Sequence, residues 1–170
     1  MTGSGNRDPG TGRTPEQNKA AEEFKRLRGV EPFGPFIDLL ASPELMTRVS
    51  ALGEYLRYRS SLPLRLSEFA ILITAAHWQQ QFEWDTHAPI ALKAGVPQSA
   101  IDALWKKQRP AGLEPDAQAL YDLCVALHTD RILRRDTRQR AETALGEQQV
   151  IDAIAICGYY ALLAMVLNSR

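Results

Sequence analysis

Residues 66–95, "LSEFAILITAAHWQQQFEWDTHAPIALKAG", decide how this chain is read. From Leu64 to Ala88 neither glycine nor proline interrupts the sequence, so one long helix could carry it. The composition speaks against that. The apolar run "FAILITAAHW" gives way at Trp78 to "QQQFEWDTH", with three glutamines, two acids, a tryptophan and a histidine. A surface turn tolerates the polar residues but has no use for Phe82 and Trp84, whereas a half-buried polar site uses both. The composition therefore predicts a short break at Trp78–Gln80 between two helices, the second kinked at Pro89 and stopped at Gly95-Val96-Pro97. Glu68 and His87 lie 19 positions apart, which is about 28 Å along a continuous helix. They share a site only if the chain reverses between them. The helix starting at Ser67 and the helix carrying His87 are thus expected to be antiparallel neighbours.

The flanking segments also read as helices. Ala20–Arg28 is short and charged and ends at Gly29; Phe36–Leu40 begins an apolar stripe; Ser42-Pro43 looks like a cap for Glu44–Tyr58. "SSLPL" breaks that helix, and Ser67 has the character of the next N-cap, with Glu68 in the first turn near the positive end of the dipole. Further on come Gln98–Lys107 with Ser99 as its cap, Glu114–Thr129, Thr137–Leu145, and Gln148–Leu167 after Gly146. No segment alternates β-branched residues, so the fold class is all-α. Residues 1–20, rich in Gly, Thr, Asn and Pro, are expected to form a disordered tail before one domain at 21–170.

Lys+Arg and Asp+Glu both number 20, a balance that gives no electrostatic reason for nucleic acid or an anionic membrane as partner. The N-terminus has no apolar signal region. The longest uncharged apolar run, Ala153–Leu167, has 15 residues, short of the roughly 18–20 that span a bilayer. These features predict a cytoplasmic protein whose last helix is a core helix. Cys124 and Cys157 stand in apolar periodic segments outside any CxxC, the pattern of buried free thiols, with a disulfide or a catalytic thiol as the alternatives. No Cys/His set has zinc spacing and HExxH is absent, so no metal is expected, and the phosphate-loop and esterase-elbow motifs are absent as well.

In the polar centre, Glu83 stands four residues before His87 on one helical face, where a carboxylate can orient the imidazole. Phe82 and Trp84 could exclude water and strengthen an acid–base pair. The stretch from Leu66 to Leu104 resembles the core motif of the carboxymuconolactone decarboxylase family, which includes the alkylhydroperoxidase D-like proteins. The resemblance rests on Ser67-Glu68 opening a helix, Glu83-Trp84-x-x-His87, and Ala94-Gly95 before a short helix. It extends through "PFIDLLASPELMTRVSALGEYLRYRSSLP" and the closing "GEQQVIDAIAICGYYALLAMVLN".

That resemblance implies an alkylhydroperoxidase D-like helical bundle with Glu68 and His87 as site residues. Where the family's peroxidase branch carries its CxxC, this chain has Gln80 and Glu83. Without a thiolate there, the sulfenic-acid route is closed at that position. The resemblance then points to the cysteine-free branch: a cofactor-independent carboxy-lyase acting on γ-carboxymuconolactone or a related cyclic acid from aromatic catabolism. His87 would donate a proton or stabilise an anion, Glu83 would orient it, and Glu68 would be a second acid–base group. His77, Trp78, Gln80 and Trp84 would line the pocket, and Arg57, Arg59 and Arg65 are nearby charges. Peroxidase activity and non-catalytic ligand binding are the competing readings. Family resemblance also implies a homo-oligomer, trimer or hexamer, and an uncharged chain with a nearly all-apolar last helix agrees with self-association.

Overall fold

The computed structural model describes residues 12–170, which hold nine α-helices and no strand. They are α1 (Pro15–Arg28), α2 (Pro35–Leu39), α3 (Pro43–Tyr58), α4 (Leu64–Trp78), α5 (Gln81–Lys93), α6 (Gln98–Trp105), α7 (Pro115–Thr129), α8 (Arg135–Leu145) and α9 (Glu147–Asn168). The fold is all-α, as expected. Of the anticipated tail, residues 1–11 lie outside the described residues, and the remainder is not a tail. Thr14 accepts from the Gln17 backbone N–H (3.3 Å) while the Gln17 side chain accepts from the Thr14 N–H (2.9 Å), with Pro15 at the first helical position. This capping box starts α1 five residues before Ala20.

The described chain divides into two compact units, with the boundary at Tyr55/Leu56 within α3. In the first, Phe24 packs on Phe36 (ring centroids 4.6 Å) and Phe33 (6.0 Å), and Gln17 ties α1 to the end of α2 through the Leu40 carbonyl (3.0 Å). The second unit is built around α4. Every residue from Leu66 to Ala76 is buried, so this helix has no solvent face. Such a helix must be surrounded, and α5, α7 and α9 pack on it most extensively, with α6 completing the shell. Full burial of a side chain such as Phe69, Ile71 or Leu72 contributes about 2–3 kcal/mol. The polar residues of that buried stretch are each partnered: Ser67 Oγ donates to the Leu64 carbonyl (3.0 Å) and Thr74 Oγ1 to the Ala70 carbonyl (2.9 Å), while Glu68 meets His87.

The break falls at Gln79–Gln80. Gln79 adopts the left-handed conformation (φ 52°, ψ 38°), and Gln80 is extended and caps α5 by accepting from the Phe82 N–H (2.8 Å). Two residues thus reverse the chain. The reversal is fastened to the far end of α9, since Gln80 Nε2 donates to Asn168 Oδ1 (2.6 Å) and Asn168 Nδ2 donates to the Trp78 carbonyl (3.1 Å).

Three expectations are corrected. Helix α4 starts at Leu64 after Pro63, so Ser67 lies inside it and bonds back to Leu64 rather than capping, which also removes Glu68 from the first turn. Pro97, not Ser99, precedes α6. Helix α9 runs to 22 residues, because residues 147–152 and Asn168 extend the apolar run, and by length and hydropathy it could cross a membrane. More than half of that apolar window is buried, packed on α4, α7 and α8. Its outward face remains apolar, with Ile151, Gly158 and Met165 exposed and Ile154, Ala155, Ala161 and Leu162 half-exposed between them.

Candidate active site

Chain reversal at Gln79–Gln80 makes α4 and α5 a hairpin and sets the Glu68 carboxylate against His87, Oε2 to Nδ1 at 2.7 Å. Both side chains are buried. The contact occupies Nδ1, so Nε2 is the imidazole nitrogen left to act on a ligand. The orienting partner of His87 is therefore Glu68 across the hairpin, not Glu83 one turn earlier on the same helix.

Glu83 has a different character. It is 3% exposed, and neither carboxylate oxygen has a hydrogen-bond partner. Burial without compensation raises its pKa from the usual 4.5 to about 8. Near neutral pH it is mostly a carboxylic acid with a transferable proton, held one helical turn from His87.

Tyr160 of α9 closes the group, its ring edge-on to the imidazole at 5.1 Å and to Tyr159 at 5.3 Å. Burial pushes its phenol well above the usual range; the Arg57 guanidinium works against this, and Tyr159, Glu68 and Glu83 add to it. Tyr160 is thus a neutral donor within electrostatic reach of both acids and of one cation. The sequence reading missed it. Its signal was the Gly158-Tyr159-Tyr160 step in an otherwise aliphatic helix, but the distance to His87 along the chain hides the contact. Arg57, in sequence only one of three nearby charges, is that cation. Of the other two arginines, Arg65 is held by Asp116 (2.6 Å) and Arg59 is exposed.

The remaining expected pocket residues divide. Trp84 is buried against Trp105 (4.6 Å) beneath α5. The Gln80 amide is spent on the α5 cap and on Asn168. His77 points into a separate cleft of about 300 Å³, stacked on His128 at 4.8 Å, with Trp78 half-buried edge-on to it at 6.0 Å. Partial burial and the neighbouring His128 and Lys107 hold the His77 pKa below its usual value. Cys124 and Cys157 are buried free thiols, as expected, yet their sulfurs are 3.4 Å apart. Among the described residues no group of three or more His, Cys, Asp and Glu side chains is placed to hold a metal ion.

An all-α bundle whose central hairpin pairs a glutamate with a histidine is of the alkylhydroperoxidase D-like class. The model of the carboxymuconolactone decarboxylase family matches residues 43–123, the stretch that carries α3 to α6 and the start of α7. No curated protein matches the sequence. Among solved structures, the apo debrominase Bmp8 is similar with a TM-score of 0.69 at 15% identity, over 91% of this chain and 83% of that one. A cysteine-to-alanine variant of Bmp8 in complex with 2,3,4-tribromopyrrole is similar to the same degree. At that identity the likeness shows the fold.

Proposed function

We propose that this protein is a cofactor-independent carboxy-lyase that removes CO₂ from a small unsaturated cyclic acid, a lactone of the γ-carboxymuconolactone type, and protonates the ring. The observation that carries this reading is a pair of buried carboxyl groups in unlike surroundings: Glu68, bonded to His87, and Glu83, unpartnered and held protonated. A carboxyl group kept neutral by burial, beside a histidine fixed by a second carboxyl, is an arrangement suited to acid–base chemistry.

The reaction asks little else of the protein. When the C–CO₂⁻ bond breaks, the electron pair runs through the ring alkene to the lactone carbonyl, and one proton must then reach a ring carbon. Arg57 supplies positive charge for the substrate carboxylate or the developing enolate. His87 Nε2, fixed by the Glu68 contact at Nδ1, stabilises the anion, with the neutral Tyr160 hydroxyl as a further donor. The Glu83 carboxylic acid delivers the proton and is reset from solvent.

The Bmp8 complex concerns a halogenated ring compound. Exchanging ring bromine for hydrogen consumes two electrons, whereas loss of CO₂ consumes none. With Gln80 and Glu83 at the two thiol positions of the family's peroxidase branch, the redox-neutral reaction suits this site better. The test is CO₂ release from a panel of unsaturated lactone acids by the chelator-treated full-length protein. Turnover that a His87→Gln variant loses supports the proposal; a panel without turnover, on well-folded protein, removes it.

The outward face of α9 supports self-association as part of this reading. Ile151, Gly158 and Met165 recur at helical spacing along one exposed apolar stripe, the pattern a second copy would cover. Sedimentation at micromolar concentration decides it, since a single species near the 19.0 kDa chain mass contradicts a homo-oligomer.

A further inference from the structure

We propose that Cys124 and Cys157 form a redox-active dithiol that hydrogen peroxide, entering by the His77–His128 cleft, closes to an intramolecular disulfide. The pair lies outside the Glu68–His87 site and is not the family's CxxC. Its members come from α7 and α9, 33 residues apart in sequence, and no spacing motif announces them.

Three observations carry the proposal. The sulfurs are 3.4 Å apart, so side-chain rotation through little more than 1 Å reaches the roughly 2.05 Å of a disulfide bond. Two polar side chains act on Cys157, which inert packing thiols would not require. Thr74 and His128 both act to lower the pKa of its thiol, and Thr74 Oγ1 is 3.0 Å from His128 Nε2. Finally, His128 also lines the cleft of about 300 Å³, with His77, Val125 and Thr129, so the imidazole connects a buried sulfur to the outside. The Cys124 thiol and the polar neighbours favour the Cys157 thiolate, while Cys124 is held protonated by the same contact and by complete burial.

The chemistry balances with the peroxide as the sole oxidant. Cys157 gives its proton to His128, and the thiolate attacks one peroxide oxygen, breaking the O–O bond. Cys157 becomes a sulfenic acid, and the departing hydroxide takes the proton from His128 as water. The Cys124 thiol then attacks the sulfenic sulfur, the S–S bond forms, and a second water leaves. Two thiols are oxidised, one peroxide is reduced, and a small external dithiol restores the pair by exchange.

The test uses the reduced full-length protein under native conditions. It is treated with stoichiometric hydrogen peroxide, quenched with an alkylating agent in denaturant, and read by intact mass and peptide mapping. The expected result is joint loss of both thiols, a mass decrease of about 2 Da, and a Cys124–Cys157 cross-link within one chain. In a Cys124→Ala variant, dimedone should label Cys157. A His128→Gln variant with an unchanged circular dichroism spectrum should oxidise roughly tenfold more slowly. Two thiols that stay alkylatable in the folded wild-type protein would overturn the proposal without recourse to any variant. So would cross-links only between chains, oxidation of Cys157 to the sulfinic acid without a disulfide, or an unchanged rate in His128→Gln.

Discussion

Replacing Glu83 by glutamine tests whether this buried carboxyl is held protonated. Its pKa stands at about 8 in the folded protein against an ordinary 4.5, with burial as the cause. A raised folded-state pKa contributes stability that is fully present below the unfolded value and lost as pH climbs through the folded one. Between pH 4.5 and about 8 the folded state holds a proton that the unfolded state has released. The penalty therefore grows by up to about 1.4 kcal/mol per pH unit and reaches a few kcal/mol by the upper end. Glutamine keeps the shape and neutrality and removes the titration. Urea unfolding of both proteins from about pH 5 to about pH 9 would measure this. The stability curves should lie close together at the acid end and diverge upward in pH, with the variant the more stable. Parallel curves across the range would refute the assignment of Glu83 as a neutral acid, and with it the proton donor of the proposed reaction.

Three other substitutions follow from the geometry. His87→Gln should lower CO₂ release by about 100-fold or more while leaving the helical circular dichroism spectrum intact, as expected for loss of an acid–base group. Gln79→Gly relieves a left-handed non-glycine residue with an exposed side chain and should raise stability by roughly 1 kcal/mol in urea melts. Asp152→Ala removes the oxygen that accepts from both the N–H and the hydroxyl of Ser61 at 2.7 Å, and should cost about 1–3 kcal/mol in the same assay.

What was legible in the sequence was local. The step from "FAILITAAHW" to "QQQFEWDTH" marked the hairpin because polar side chains that interrupt a fully buried helix need a reason to be there. Once the hairpin was placed, Glu68 and His87 had to approach one another. Roles were harder to read than positions. Glu83 at i−4 looked like the partner of His87, but a carboxylate across the hairpin supplied the bond instead, which left Glu83 without a partner and so protonated. Gln80 looked like a pocket residue from its setting, yet its amide had been taken by Phe82 and Asn168 to build the turn. Tyr160 beside His87, and Cys124 beside Cys157, depend on how α9 lies against α4 and α7. No periodicity within a single helix records that.

The cofactor-free acid–base reaction is tested most directly by following the proton. Chelator-treated protein incubated with γ-carboxymuconolactone in D₂O should release CO₂ and give a product with one deuterium at the ring carbon that accepts the proton, formed by the wild-type protein and not by His87→Gln. Deuterium-free product, CO₂ release that survives His87→Gln, or no CO₂ release at all would contradict it.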